Sequence, residues 1–456
     1  MDPFAAAIKR MIYPAWAWKN GNARLQYLSQ MEESQYWQRE KLREYQRISL
    51  KRLVTHAYET CPYYREKFLN IGATPDDFQS IEDFKRFPTI AKEEIQENKE
   101  TLISSKYSKS RLIKDMTGGS TGSPLVFYYE QDRRESREAA SFRHDRWAGW
   151  DIGSRRAIIW GAPQDIKITG NVIGKLKAQL RWWIIDRSLI LDAACLDEAT
   201  MHAFARKLIH YKPTVIQAYA NTLGLFARYL NSENIKGITP KGIICSAEVL
   251  TAENRSMIEN TFNSPVYNRY GSREFGVIAS ECSQHEGMHI NAENLFVEVL
   301  PQNGTNNEQE GEIAVTDLKN MAMPLIRYKI KDMGRLKNEP CSCSRGLPLM
   351  ELTGGRVTDF LTASNGSKIS GIVVATYVIT NIPGIKQIQF LQTEYGAVTV
   401  NLVKGIGWTS LSHGDLIARI HQYLGKDMQI KIVEQEHIPH EKSGKYRFSI
   451  STLSDC

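Results

Sequence analysis

Met116-Thr117-Gly118-Gly119-Ser120-Thr121-Gly122-Ser123-Pro124 is the stretch on which the reading of this chain turns. Glycines let successive backbone N–H groups converge on one point, and the hydroxyls of Thr117, Ser120, Thr121 and Ser123 add donors there. The natural guest of such a loop is a polyanion, a triphosphate above all. The Gly-Lys-Ser/Thr of a Walker A loop is missing, and no helix obviously follows. Leu125-Val126-Phe127-Tyr128-Tyr129 comes next and reads as a strand. Taken alone, the stretch is equally well a hairpin turn rich in Gly and Ser. Its company along the chain decides between the two.

Composition sets the frame. At 456 residues, two or three domains are expected. An apolar fraction of 42% and a charged fraction of 24% are those of an ordinary globular protein. No apolar run is long enough for a membrane span, and Met1-Asp2-Pro3-Phe4 does not open a signal peptide. Seven scattered cysteines argue against a disulfide framework and for a reducing cytoplasm. The net charge of +7 suits anionic ligands or an acidic membrane surface, and no nucleic-acid-binding signature is present.

The first sixty residues are helical in character. Ile8, Met11, Ile12, Trp16 and Trp18 mix with Lys9, Arg10 and Lys19, which fits a short interfacial anchor or, the favoured reading, aromatics packed on the body of the protein. Lys175, Lys177, Arg181 and Arg187 surround Trp182-Trp183 and Ile184-Ile185 in the same manner, with an interfacial segment, a pocket wall and a core helix all open. Arg156 to Gly161, Pro213 to Tyr219 and Lys241 to Glu248 read as strands, and the helix expected from about Asn221 to Leu230 gives the alternation of an α/β body.

Cys61-Pro62-Tyr63-Tyr64-Arg65-Glu66-Lys67-Phe68, Ile81-Glu82-Asp83-Phe84 and Phe87-Pro88-Thr89-Ile90-Ala91-Lys92 resemble the N-terminal region of the phenylacetate–CoA ligases and of their capsule-associated, CapK-like relatives. These belong to the acyl-adenylate-forming (AMP-forming) ligases. The opening stretch is similar to their phosphate-gripping loop, a Ser/Thr/Gly run closed by Gly-x-Pro. The resemblance then implies roles for the anchors that follow. Thr117, Gly118, Gly119, Ser120, Thr121 and Gly122 would hold phosphates. Ser246-Ala247-Glu248 would line the adenine pocket. Tyr270-Gly271-Ser272-Arg273-Glu274 matches the Tyr-Gly-x-Thr-Glu signature, with the tyrosine on the base and Glu274 holding magnesium. Arg273 replaces the usual Thr or Ser, and its guanidinium can donate to phosphate in their place. Asp332, closing a Pro-x-x-x-Tyr-x-x-x-Asp segment, would accept from the ribose hydroxyls. Arg356 would reach ribose or phosphate, Asp359 sits at the hinge, and Lys445 in Ser443-Gly444-Lys445 would be the catalytic lysine.

Thiolate and imidazole are zinc ligands, and Cys₃His is an accepted structural set. Cys282 lies upstream of His285 and His289, and Cys341-Ser342-Cys343 forms a tight pair. The alternative is free buried thiols with solvated histidines. Some phenylacetate–CoA ligase relatives carry zinc in this region, on a Cys, a His from Gly-x-His-Ile and a Cys-x-Cys pair. Gly287-Met288-His289-Ile290 fits that pattern, so the resemblance prefers His289 to His285 beside Cys282, Cys341 and Cys343.

The fold expected is α/β: a large N-terminal adenylate-forming domain, residues 1–355, with mixed sheets and helices, and a small mobile C-terminal α/β lid, residues 356–456. The function expected is ATP- and magnesium-dependent activation of a small carboxylic acid, with coenzyme A or an amine as acceptor. The alternative is an inactive nucleotide-binding, membrane-peripheral component of a polysaccharide assembly complex. The sequence leaves the acid, the acceptor and the oligomeric state open.

Overall fold

The computed structural model describes residues 2–117, 125–161, 182–193, 196–301, 310–354, 360–371, 374, 378, 382–438 and 448–453. Lys445, Arg356 and Asp359, residues 118–124 of the glycine-rich stretch, and the basic segment up to Arg181 lie outside them.

Strands β1 (Ile113–Met116) and β2 (Val126–Tyr129) pair as an antiparallel hairpin around the glycine-rich stretch. A second sheet contains β3 (Arg156–Trp160), β4 (Ser188–Asp192), β5 (Val215–Tyr219), β6 (Gly242–Ser246), β7 (Val266–Ser272), β8 (Gly276–Glu281), β9 (Met288–Ile290), β10 (Leu295–Pro301), β11 (Glu310–Asp317), β12 (Tyr328–Lys337) and β13 (Leu349–Gly354). Its spatial order is β10-β11-β12-β13-β9-β8-β7-β6-β5-β3-β4.

The sheet changes character at β7. From β4 to β7 every pairing is parallel. From β7 to β10 every pairing is antiparallel. Parallel pairs need crossover helices, and helices Glu198–Tyr211, Ala220–Ser232 and Ala252–Phe262 supply them. Asp197 and Thr251 cap two of these by accepting from Thr200 N and Asn254 N, which stops each helix at the turn out of the loop before it. Strand β6 is buried along its whole length, as a strand covered on both faces must be. Gly242 begins it because a Cβ there would come within 2.4 Å of the Ala148 carbonyl oxygen.

The antiparallel half packs on the N-terminal helices. Leu50, Leu53, Val54, Tyr64 and Phe68 share one core with Ile278, Ile313, Val315 and Ile326. In the C-terminal part, β16 (Ile385–Gln392), β17 (Ala397–Lys404), β18 (Gln429–Glu434) and β19 (Ser449–Ser451) form a sheet in the order β18-β17-β16-β19, preceded by the hairpin β14 (Phe360–Thr362) and β15 (Lys368–Ser370). Helix Ser410–Leu424 carries the chain from β17 to its parallel neighbour β18 and buries Leu416, Ile420 and Leu424, spaced four apart on one face. The mixed α/β architecture agrees with the fold expected from the sequence, and no helix among the described residues is long and apolar enough to cross a membrane.

Candidate active site

A cavity of about 510 Å³ opens at the seam where the sheet turns from parallel to antiparallel. Three segments far apart in the chain meet in it: Ala247–Glu248 after β6, Tyr270–Glu274 at the end of β7, and Asp332 on β12. Thr117 joins them from the hairpin. Its amide donates to Leu125 O at 3.0 Å, and its hydroxyl accepts from Leu125 N at 2.9 Å. These bonds pin both ends of the glycine-rich stretch at one point on the rim.

Asp332 accepts a 2.8 Å hydrogen bond from the Tyr270 hydroxyl on one oxygen. That bond fixes the carboxylate and leaves lone pairs for two further donors, the number a ribose diol presents. The sequence assigns Tyr270 to the base; its hydroxyl also orients Asp332, a link no linear motif displays. Glu274 is 6% exposed, its carboxylate accepts from the Tyr328 hydroxyl at 3.4 Å, and its carbonyl accepts from Arg133 Nη2. Its oxygens are the hard donors that magnesium takes. Glu248 accepts from Asn221 N at 2.7 Å, which ties the pocket wall to the first turn of a crossover helix. Ala247 beside it has φ +66°, in the left-handed region. Ser246 lies under the wall: its hydroxyl donates to Arg269 O at 2.9 Å. Gly271 and Ser272 line the cavity with Arg273.

Several residues that hold the site are absent from the motifs. Arg133, on helix Gln131–Trp147, pairs with Asp317 at 2.8 Å and lies over the Tyr129 ring at 4.8 Å while reaching the Glu274 carbonyl. It thereby joins the strand leaving the glycine-rich stretch to the turn that presents Glu274. Arg137, one turn on, packs on Gly276, where a Cβ would meet its Nε at 2.6 Å and φ is +76°. Burial, with Arg133 and Arg273 nearby, lowers the Arg137 guanidinium to about 10. Lys92 lines the cavity from the N-terminal region. That region braces the Asp332 segment: Tyr64 donates to Pro324 O at 2.9 Å and accepts from Ile326 N at 3.1 Å, and Ile90 bridges to Tyr328. The signal for Arg133 and Arg137 was there in their spacing on a helix next to the loop, but charged helix positions usually face solvent.

A second cluster lies past the far end of β8. The ligand atoms of Cys282, His289, Cys341 and Cys343 all fall within 4.8 Å of one another. Cys282 Sγ and Cys341 Sγ are 3.6 Å apart, and Cys343 Sγ is 3.3 Å from His289 Nε2. Tetrahedral zinc places two thiolates about 3.8 Å apart, so the spacing suits that ion. His289 is fully buried, and burial lowers its imidazole to about 4, so it is neutral. The Leu347 carbonyl, 3.4 Å from Nδ1, can only accept; it fixes the proton there and leaves the Nε2 lone pair facing the thiols. Burial pushes the Cys282 and Cys341 thiols up. Against burial, the Arg345 backbone and side chain and the neighbouring thiols hold Cys343 below the usual thiol value. Three buried donors and the half-buried Cys343 make a set whose chemistry fits structural zinc. His285 stands apart, on the cavity rim with Nδ1 at 3.1 Å from Glu281, itself bound twice by Arg255 at 2.8 Å. Of the two histidines, the cluster takes His289.

Residues 361–452 match the family model of the CapK C-terminal domain. The chain is 26% identical to protein CapK of Staphylococcus aureus, over 82% of this chain and 81% of that protein. It is 26% identical to the phenylacetate-coenzyme A ligase of Escherichia coli K12, over 68% and 70% of the two chains. Among solved structures, 2-hydroxyisobutyryl-CoA ligase in complex with 2-HIB-AMP and CoA aligns with a TM-score of 0.59 at 18% identity, covering 90% of this chain and 89% of that one. That likeness carries the fold. The cavity that gathers the three anchors of the sequence thus lies at a sheet seam of a chain similar in sequence to protein CapK and to the phenylacetate-coenzyme A ligases, on a fold it shares with a solved CoA ligase.

Proposed function

We propose that the protein is an ATP-dependent, AMP-forming carboxylate ligase that converts an organic acid to its acyl-adenylate and passes the acyl group to a thiol, coenzyme A, or to an amine. The observation that carries this reading is the meeting of Ala247–Glu248, Tyr270–Glu274 and Asp332 in one cavity, with the ends of the glycine-rich stretch on its rim.

The residues divide the work by charge. Tyr270 holds Asp332 for the ribose, and the wall at Ala247–Glu248 takes the adenine. Glu274 supplies oxygens for magnesium, which offsets phosphate charge, while Gly118 to Gly122 and Arg273 donate to the phosphate oxygens. The acid's carboxylate attacks the α-phosphorus in line, the P–O bond to pyrophosphate breaks, and Lys445 stabilises the charge that moves between them. In this reading residues 356–456 form a lid that turns about Asp359, withdraws Lys445 and brings the acceptor to the acyl carbon. Arg356 serves ribose or phosphate in that closed state. Zinc, held by Cys282, His289, Cys341 and Cys343, would act as a staple outside the chemistry.

CapK likeness supports a place in polysaccharide biosynthesis, where uronic acids and amino sugars bring carboxylates and amines together. Pyrophosphate release measured over aryl, fatty, amino and uronic acids, with and without coenzyme A, tests the proposal. Release should require one acid class. ATP binding with no release for any acid would leave instead a catalytically silent nucleotide-binding component of an assembly complex.

A further inference from the structure

Residues Pro3–Lys19 form one continuous helical rod: α-helical at Pro3–Ala7, widened to a π-turn at Ile8–Ile12, and α-helical again at Tyr13–Lys19. Its inner face is accounted for. Ile8, Tyr13 and Ala17 are buried in a cluster with Leu28, Ala139, Trp150 and Ile152, and Trp16 packs at its edge, 5.5 Å from the Tyr13 ring. Arg24 donates to the Tyr13 hydroxyl at 3.0 Å.

The outer face has the opposite character. Phe4, Met11 and Trp18 are 46%, 71% and 86% exposed. The buried positions Ile8, Tyr13 and Ala17 are spaced five and four apart across the π-turn, so Met11, exposed Ala15 and Trp18 fall on the opposite side of the rod, with Phe4 at its edge. Single exposed apolar side chains are ordinary on a protein surface; a methionine and a tryptophan both largely in water on the same side of one short rod are not. Arg10 and Lys19 are exposed on the same rod, and Lys9, also exposed, pairs with Asp151 at 2.5 Å. The rod's N-cap carboxylate, Asp2, is spoken for: Arg187 binds it at 2.7 Å. Arg187 also lies 5.2 Å from the Phe4 ring centroid, and the segment Trp182–Asp186 packs beside Ile8–Ile12. The segment Trp182–Asp186, distant in sequence, therefore adjoins the rod at its π-turn.

We propose that this side docks on an anionic lipid surface, with Met11 and Trp18 entering the boundary between headgroups and acyl chains and Arg10 and Lys19 pairing with the headgroups. Charge complementarity selects this occupant. An apolar line bordered by cations, with its carboxylate neutralised, suits a surface that is apolar within and negative above. An indole at the end of the rod is placed where amphipathic rings settle at such boundaries. The inference stands independently of the ligase reading, since none of these residues touches the cavity.

The test is sedimentation of the full chain with vesicles of phosphatidylcholine alone or mixed with phosphatidylglycerol. The protein should pellet with the mixed vesicles at low salt, release as salt rises, and stay in solution with the neutral ones. M11S/W18S, at exposed positions, should weaken binding about ten-fold or more with its melting temperature and pyrophosphate release intact. R10Q and K19Q should each weaken it by about five-fold. Failure to pellet at low salt would overturn the proposal, as would equal pelleting of M11S/W18S. If light scattering found a dimer that M11S/W18S dissolves, with no vesicle binding by either protein, the stripe would belong to a second copy and the proposal would fall.

Discussion

Strand β8 is six residues long, and its two ends show two ways of putting polar chemistry inside a protein. Before its start, Glu274 is tied at two points and faces the cavity: Arg133 holds its carbonyl and Tyr328 its carboxylate. Past its end, Cys282, His289, Cys341 and Cys343 sit with the imidazole held neutral and two of the thiols pushed toward their neutral forms by burial. The first end is braced by hydrogen bonds and remains open. The second is closed on itself, and a metal would be what turns its thiols into thiolates. The difference teaches that one end should answer to changes in rate and the other to changes in stability.

The largest effect expected is at the open end. Lys445→Ala, removing the lysine proposed to meet the carboxylate there, should slow acid-dependent pyrophosphate release by about a hundred-fold or more while leaving ATP affinity and the melting temperature near those of the parent. A supplied acyl-adenylate should still be passed to the acceptor. Near-normal adenylation in this variant would end the proposed role of Lys445. At the closed end, metal analysis of protein without a histidine tag should find about one zinc per chain, and Cys341→Ser should cost about 3 kcal/mol or more of stability with the rate per folded molecule unchanged. An intact melting temperature, or a stable metal-free preparation, would erase the contrast between the ends.

Tyr270→Phe sharpens the open end further. It removes the hydroxyl that orients Asp332 and should weaken ATP binding by about 2 kcal/mol, read as a raised KM for ATP with a smaller change in kcat. Asp332→Ala should weaken ATP binding more and slow both half-reactions. The smallest effect belongs to the rim of the closed end. Ser342 donates from its amide and its hydroxyl to the two oxygens of Glu286, each at 2.8 Å, in an exposed position. Ser342→Ala should cost about 1 kcal/mol or less in chemical denaturation, far below the cost at neighbouring Cys341.

What was legible in the sequence follows from the same contrast. Tyr270, Glu274, Asp332 and the Cys-x-Cys pair stand in the motifs that carry the resemblance, and the proposed chemistry asks for those residue types at those spacings. Their bracing does not. Arg133, Arg137 and Lys92 stand on two helices, Gln131–Trp147 and Lys92–Glu97, that the fold brings in from elsewhere, and a charged residue on a helix looks the same whether it faces water or a carboxylate. Strands β5 and β6 and helix Ala220–Ser232 were readable from apolar runs and spacing. The switch from parallel to antiparallel at β7 was not, since pairing direction is a property of partners rather than of one segment. The N-terminal aromatics divided: Trp16 packs at the edge of the core, as the plainer reading held, whereas Trp18 stands in water.

Ala247 carries a consequence of another kind. An L-residue held at φ +66° costs roughly 1 kcal/mol relative to a glycine, which adopts that region without strain. Replacing it with glycine would return that energy to the native state, but would also free the unfolded chain and loosen the cavity wall on which the adenine is proposed to rest. Selection or design toward a hardier variant will find this position early and, if the methyl group is part of how the pocket grips its nucleotide, will exchange affinity for heat tolerance there.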